Sequence, residues 1–173
     1  MNIVLIGIGG CGKSTIGKLL AKKLGKKFID MDSMVEEKLN MSISQIVKKL
    51  GWNKFRDFES QIVDNLSKFD NRVIATGGGV VTRDENILKL KERSILIWLK
   101  ANIDTLIERI GDGTGRPILT NSKRIRKDLE QIYTGRKNLY QKAANCSFDT
   151  DGKTPEEITE EIITTLEREN IYD

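Results

Sequence analysis

Residues Asn2 to Thr15 read N-I-V-L-I-G-I-G-G-C-G-K-S-T, and this stretch decides the fold. The run Ile3 to Ile6 has the length and β-branched composition of a buried strand. It breaks into Gly7, Gly9, Gly10 and Gly12, and Lys13, Ser14 and Thr15 then open a helical pattern. From Gly7 to Ser14 the spacing satisfies G-x-x-x-x-G-K-[ST], the phosphate-binding loop. Its glycines leave backbone N–H groups free to wrap a polyphosphate, and the helix that follows aims its positive dipole end at the same anion. Gly9, Gly10, Cys11, Gly12, Lys13, Ser14 and Thr15 are therefore expected around a nucleoside triphosphate. Lys13 reaches the β- and γ-phosphates in this reading, and the Ser14 hydroxyl ligates Mg²⁺.

Outward from this loop, strands alternate with helices. Ile16, Leu19, Leu20 and Leu24 fall at helical spacing, with Gly25 closing the helix. Phe28 and Ile29 form a second strand ending in Asp30-Met31-Asp32, and helices are predicted over 33–39, from Ser42 to Gly51, and over 54–69. The last of these carries Phe55, Phe58, Ile62 and Leu66 inward. Arg72 to Thr76 is the third strand and runs into Gly77-Gly78-Gly79. A helix over 84–92 leads to the fourth strand, 94–99, and another over 103–110 leads to Gly111-Asp112-Gly113-Thr114-Gly115. A charged helix over 123–143, a fifth strand over 146–149 and a helix capped by Thr154 and opened by Pro155 complete the pattern. The alternation implies an α/β fold, a parallel sheet covered on both faces, in one domain spanning 1–173. Ligands of such sheets gather at the carboxyl ends of the strands, where the Gly7 loop, Asp30, Asp32 and Gly77 to Gly79 all lie.

Composition narrows the chemistry. The 173 residues are 38% hydrophobic and 31% charged, and no run approaches the ~20 apolar residues of a membrane span. A strand begins at once, so no leader is expected, and the chain reads as cytoplasmic. Histidine is absent, which excludes His-based triads and His zinc sites and leaves Lys, Arg, Asp, Glu and Mg²⁺ for catalysis. Cys11 and Cys146 make neither a disulfide framework nor a metal cluster. Cys11 does lie in the loop at a helix N-terminus, an environment that favours thiol reactivity, so alkylation there is expected to block activity. The net charge of +4 suits anionic small molecules, and the basic clusters lack the interleaved aromatics of a nucleic-acid surface. With no coiled coil or apolar stripe, a monomer is expected.

Asp30 and Asp32 stand two apart at a strand end and can point the same way. One can steady Mg²⁺ while the other takes a proton from an acceptor hydroxyl, although Asp32 can equally cap the next helix. In F-R-D-F-E, Arg56 is flanked by apolar rings and held by Glu59 one turn on. Gly77 to Gly79 allow close backbone approach and offer N–H donors. Residues 111–115 read as a lid ending in Arg116, whose closure brings positive charge over the γ-phosphate. Spacing alone does not choose between Arg124, Arg126 and Arg136 in the charged helix.

The set G-x-x-x-x-G-K-S, D-x-D, F-R-x-x-E, G-G-G and R-P after a glycine-rich segment resembles the shikimate kinase family in order and interval. The resemblance implies transfer of the γ-phosphate of ATP to the 3-hydroxyl of shikimate, with a five-stranded sheet in the order 2-3-1-4-5. By position, Asp32 would bind ring hydroxyls and act as base, and Asp30 would join Ser14 in the Mg²⁺ shell. Arg56 and Arg136 would clamp the carboxylate; Arg136 is selected by the family's R-x-x-x-Y motif, here Arg136 to Tyr140. Gly78 and Gly79 would add backbone contacts to shikimate, and Arg116 would cover the phosphates. Arg109, Lys153 and the rest of the loop from Asp149 to Pro155 would hold adenine. The acceptor-binding helices would span about 32–60 and the lid about 111–123. The chain departs from most members at Gly51-Trp52-Asn53-Lys54, where an acidic residue usually precedes F-R. It departs again at Lys153, where Arg is frequent.

Overall fold

The computed structural model of the chain describes residues 1–110 and 125–169. The elements, in order, are β1 (Asn2–Ile6), α1 (Lys13–Lys23), β2 (Lys27–Asp30), α2 (Met31–Leu39), α3 (Ile43–Leu66), β3 (Arg72–Ala75) and α4 (Asp84–Lys91). β4 (Ser94–Lys100), α5 (Ile103–Ile110), α6 (Ile125–Ala143), β5 (Cys146–Asp149) and α7 (Pro155–Arg168) follow. All strand pairings are parallel, and the sheet order is β2-β3-β1-β4-β5.

β1 sits at the centre with every residue buried, as an unbroken apolar run in a parallel sheet requires. Its one polar member, Asn2, is satisfied: its amide donates to the Phe69 carbonyl at 2.7 Å and accepts from Arg72 N at 3.0 Å. Parallel crossovers are right-handed. α1 carries the chain from β1 toward β2 and α4 carries it the opposite way, from β3 to β4, so the two helices lie on opposite faces. The connections leaving β1 and β3 diverge, and a crevice opens at their carboxyl ends.

Local chemistry sets the helix ends. Leu24 closes α1, with Gly25 beyond it at φ 62°, as expected of a glycine stop. Ser42 and Gln45 form a reciprocal capping box at the start of α3, and Thr154 and Glu157 form another at α7. The two helices expected on either side of Gly51 are both present within α3 and meet at a break where Gly51 adopts φ 82° and ψ 164°. That conformation breaks the helical ladder but costs little without a Cβ. α3 ends at Leu66 rather than 69, and Phe58 is only half-buried. α2 begins at Met31, two residues early, because Asp30 caps it by accepting from Asp32 N and Ser33 N. Asp32 is therefore not the cap. A short 3-10 turn, Val80–Thr82, follows the three glycines and was not expected.

Leu96 on β4 is fully buried and pairs in register with Val4 of β1. Leu96→Ala is expected to lower unfolding free energy by about 3–4 kcal/mol, because the sheet centre cannot collapse into the space left. Urea unfolding checks this as a lower midpoint with unchanged slope.

Candidate active site

The phosphate loop is held open by backbone that only glycine adopts easily. Gly7, Gly10 and Gly12 have φ of 143°, 88° and 100°. A Cβ on Gly7 would lie 2.6 Å from the Leu99 carbonyl and 2.8 Å from Cys11 Sγ. Cys11 is fully buried beneath the loop, so a thiol reagent reaches it only when the loop opens. Lys13 is also buried, and its Nζ donates to the Gly7 and Ile8 carbonyls at 2.7 and 3.0 Å. The ammonium thus ties the loop to itself.

Ser14 Oγ donates to Asp30 Oδ2 at 2.5 Å, while Asp30 Oδ1 accepts from Asp32 N at 3.1 Å. One carboxylate therefore ties the phosphate loop to the start of α2. Asp30 and Asp32 do not point the same way: the chain turns helical at Met31, and strand alternation no longer applies. Asp32 faces the glycine turn instead, with Oδ1 at 2.8 Å from where a Gly77 Cβ would stand.

A cleft of about 480 Å³ runs from Gly10, Gly12 and Ser14 to Arg109, Lys153 and Pro155. Arg109 donates to Thr150 Oγ1 at 2.8 Å and to the Thr150 carbonyl at 2.6 Å. Thr150 in turn donates from Oγ1 to the Lys100 carbonyl at 2.9 Å. The 149–155 loop is thereby fastened to the ends of β4 and α5, where it walls the cleft. Lys153 pairs with Glu161 at 2.7 Å on the rim.

Across Gly77 to Gly79 lies a second group of charges. A Cβ on Gly79 would overlap the Arg56 guanidinium, and one on Gly77 would overlap Glu59 Oε1. Arg56 Nη1 donates to Glu59 Oε2 at 2.5 Å. Glu59 is fully buried, and its other oxygen has no hydrogen-bond partner among the described residues. Burial raises its pKa above the ordinary 4.5; Arg56 opposes this, and Asp32 adds to it. Arg136 Nη1 and the Tyr140 hydroxyl both donate to the Gly78 carbonyl, at 3.2 and 2.5 Å. Burial pushes the Tyr140 phenol well above its usual range, so it stays a donor. The glycine turn thus presents a carbonyl on this side, whereas its sequence suggests N–H donors.

Geometry separates the arginines that spacing did not. Arg126 is exposed and pairs with Asp104 at 2.6 Å, whereas Arg136 reaches Gly78. Arg116, Arg124 and the lid over 111–123 lie outside the described residues. Beyond the Phe55 ring expected beside Arg56, the fold adds two aromatic contributions, Trp52 and Trp98. The Arg56 guanidinium carbon lies 5.4 Å from the Trp52 ring centroid and 5.1 Å from that of Phe55. Trp98 stacks on Tyr140 at 5.8 Å and 26°, behind the glycine turn. Trp52 carried a readable signal, since i and i+4 share a helix face. Trp98 carried none.

A model of the family Shikimate kinase matches residues 9–167. The chain is 43% identical to a shikimate kinase of Thermodesulfovibrio yellowstonii over 167 residues, covering 96% of this chain and 95% of that one. Among solved structures it resembles shikimate kinase from Acinetobacter baumannii in complex with shikimate. That likeness has a TM-score of 0.93 at 30% identity and covers 97% of this chain and 93% of the other. Shikimate kinase from Aquifex aeolicus matches with a TM-score of 0.84 at 32% identity, covering both chains fully. Motif, sheet order and relatives agree, and the chain belongs to the shikimate kinase family.

Proposed function

We propose that this chain transfers the γ-phosphate of ATP to the 3-hydroxyl of shikimate, at the seam where its glycine turn meets its phosphate loop. One observation carries the reading. A Cβ on Gly78 would stand 3.3 Å from Gly9 N and 3.4 Å from the Gly7 carbonyl. The floor of the acceptor side therefore abuts the end of the loop that holds the terminal phosphate, and a hydroxyl there is close enough for direct transfer.

Lys13 exchanges its carbonyl partners for the β- and γ-phosphates, and the backbone of Gly9 to Thr15 wraps them. Ser14 and Asp30 are hard oxygen donors already joined beside the loop, a donor set that fits Mg²⁺ together with phosphate oxygens. When bound, Mg²⁺ neutralises charge on the β- and γ-oxygens. Arg109, Lys153 and the loop to Pro155 take the adenine. Arg56 and Arg136 clamp the acceptor carboxylate beside the turn, and the Gly78 and Gly79 backbones complete the pocket. Asp32 accepts the proton of the attacking hydroxyl. Arg116, outside the described residues, is assigned to the transferring phosphoryl group, within a lid over 111–123.

The chain acts in this reading as a single cytoplasmic kinase domain and as a monomer, without nucleic-acid or membrane partners. None of its described helices is long and apolar enough to cross a membrane.

A coupled ADP-release assay with ATP and Mg²⁺ tests the acceptor. Turnover is expected with shikimate and not with gluconate or nucleoside monophosphates, and Asp32→Asn is expected to lower kcat by about 10²-fold or more. Turnover on a different acceptor would overturn the pocket, and an unaffected Asp32→Asn would overturn the base.

Glu59 supplies a test with a pH sign. Its folded pKa is raised, so the stability it contributes is full below the ordinary 4.5 and is lost as pH rises through the raised value. Glu59→Gln removes that slope. In urea unfolding, the native chain is expected to lose stability relative to Glu59→Gln between pH 5 and pH 8. Parallel pH curves for the two proteins would contradict this.

A further inference from the structure

The residue after the 3-10 turn breaks a local rule. Arg83 occupies the N-cap position of α4, with φ −120° and ψ 111°, yet its side chain makes no cap hydrogen bond. Ser, Thr, Asp or Asn is favoured there, and α4 goes without that stabilisation. A broken local preference in a well-packed chain points to a role elsewhere.

The Arg83 side chain reaches across to α3. Nη2 donates to Asp57 Oδ1 at 2.8 Å and to the Asn53 carbonyl at 3.5 Å, and Nη1 donates to Ser60 Oγ at 3.1 Å. Asn53, Asp57 and Ser60 are spaced i, i+4 and i+7, one stripe of the helix. Asp57 and Ser60 immediately follow Arg56 and Glu59, which turn the other way, onto Gly79 and Gly77. Arg83 itself leaves the far end of that same glycine segment. The segment is closed by Val80 N to the Gly77 carbonyl at 3.2 Å and by Thr82 N to the Gly79 carbonyl at 3.0 Å. A single short segment, 77–83, therefore holds α3 from two sides, by contact with Arg56 within and by the Arg83 fork without.

We propose that Arg83 is a positioning residue for the acceptor, setting how closely α3 brings Arg56 to the glycine turn. This rests on the assignment of Arg56 to the acceptor carboxylate. The strap contributes little to holding the fold. Arg83 and Asp57 are 29% and 46% exposed, and ion pairs so placed add little stability. α3 is anchored independently by buried Phe55, Ile62, Val63 and Leu66. What the fork controls is sub-ångström placement of a charged clamp, to which binding and transfer respond steeply.

The test is steady-state ADP release by the full chain, varying shikimate at saturating ATP and then ATP at saturating shikimate. The proteins compared are the native chain, Arg83→Leu, Arg83→Lys, Arg56→Leu, and Arg83→Leu combined with Asp57→Ala. Arg83→Leu is expected to raise the shikimate KM about fivefold while the ATP KM and kcat stay within about twofold, a loss of acceptor placement alone. Arg83→Lys keeps one bond of the fork and is expected to recover part of the loss. Adding Asp57→Ala to Arg83→Leu is expected to change nothing further, because the two residues act as one unit. An unchanged shikimate KM in Arg83→Leu, beside a large rise in Arg56→Leu, would overturn the strap and leave the acceptor site standing. Equal rises in both substrates' KM, or a kcat loss tracking a lower melting temperature, would reduce Arg83 to a structural residue. An unchanged shikimate KM in Arg56→Leu would remove the acceptor-site assignment, and this proposal falls with it.

Discussion

The approach of one backbone to another, at Gly78 against Gly7 and Gly9, is the constraint on which the rest of the site depends. Phosphoryl transfer needs an acceptor oxygen in line with the terminal phosphate, so the floors of two pockets must nearly touch. Side chains between them would hold them apart. Parallel pairing of β1 and β3 brings their carboxyl ends side by side, with Leu5 opposite Ala75 in register. Glycine then removes the remaining bulk at that edge. Positions 7, 77 and 79 have no room for a Cβ, each for a different reason: a carbonyl, a buried carboxylate and a guanidinium stand where it would go.

Charge follows from that crowding. Glu59 is buried because α3 must press its polar residues against the turn, and a carboxylate so placed is costly unless paired. Arg56 supplies the pairing, and Glu59 returns it by fixing the guanidinium in one orientation. A surface arginine would keep its rotamer freedom and lose it only on binding. Here that ordering is completed during folding, so the guanidinium is preorganised for the acceptor carboxylate proposed for it. Tyr140 and Arg136 perform the matching task from α6, converging on one carbonyl of the turn.

The sheet and the loop were legible in the sequence because each carries a local signature: a continuous apolar run, then glycines and a lysine at fixed spacing. The strands were legible as apolar runs between glycine and helical stretches, whereas the sheet order came only with the family resemblance. The direction of Asp32 was not legible, because alternation along a strand assumes that the strand continues, and capping by Asp30 turns the chain at Met31. Nor could the arginine on α6 be chosen from spacing. The family's R-x-x-x-Y motif singles out Arg136, and in the fold its bond to the Gly78 carbonyl separates it from Arg126, which pairs with Asp104. The cap at Arg83 reads in sequence as a defect of α4, since its partners lie some 23 to 30 residues away on another helix.

The departure at Gly51 to Lys54 also acquires a physical meaning. Where the family resemblance leads to the expectation of an acid before F-R, this chain kinks at Gly51 and sets the Trp52 ring near the Arg56 guanidinium. An acid at that point would compete with the proposed acceptor carboxylate for the same cation. An indole attracts the guanidinium through its quadrupole and leaves the donors that Glu59 does not use available to a planar anion. Trp52 also packs edge-on against Phe55 at 5.7 Å, which ties the ring to the buried face of α3. The kink, the ring and the Glu59 pair therefore converge on one requirement, an Arg56 held still with its donors facing the glycine turn.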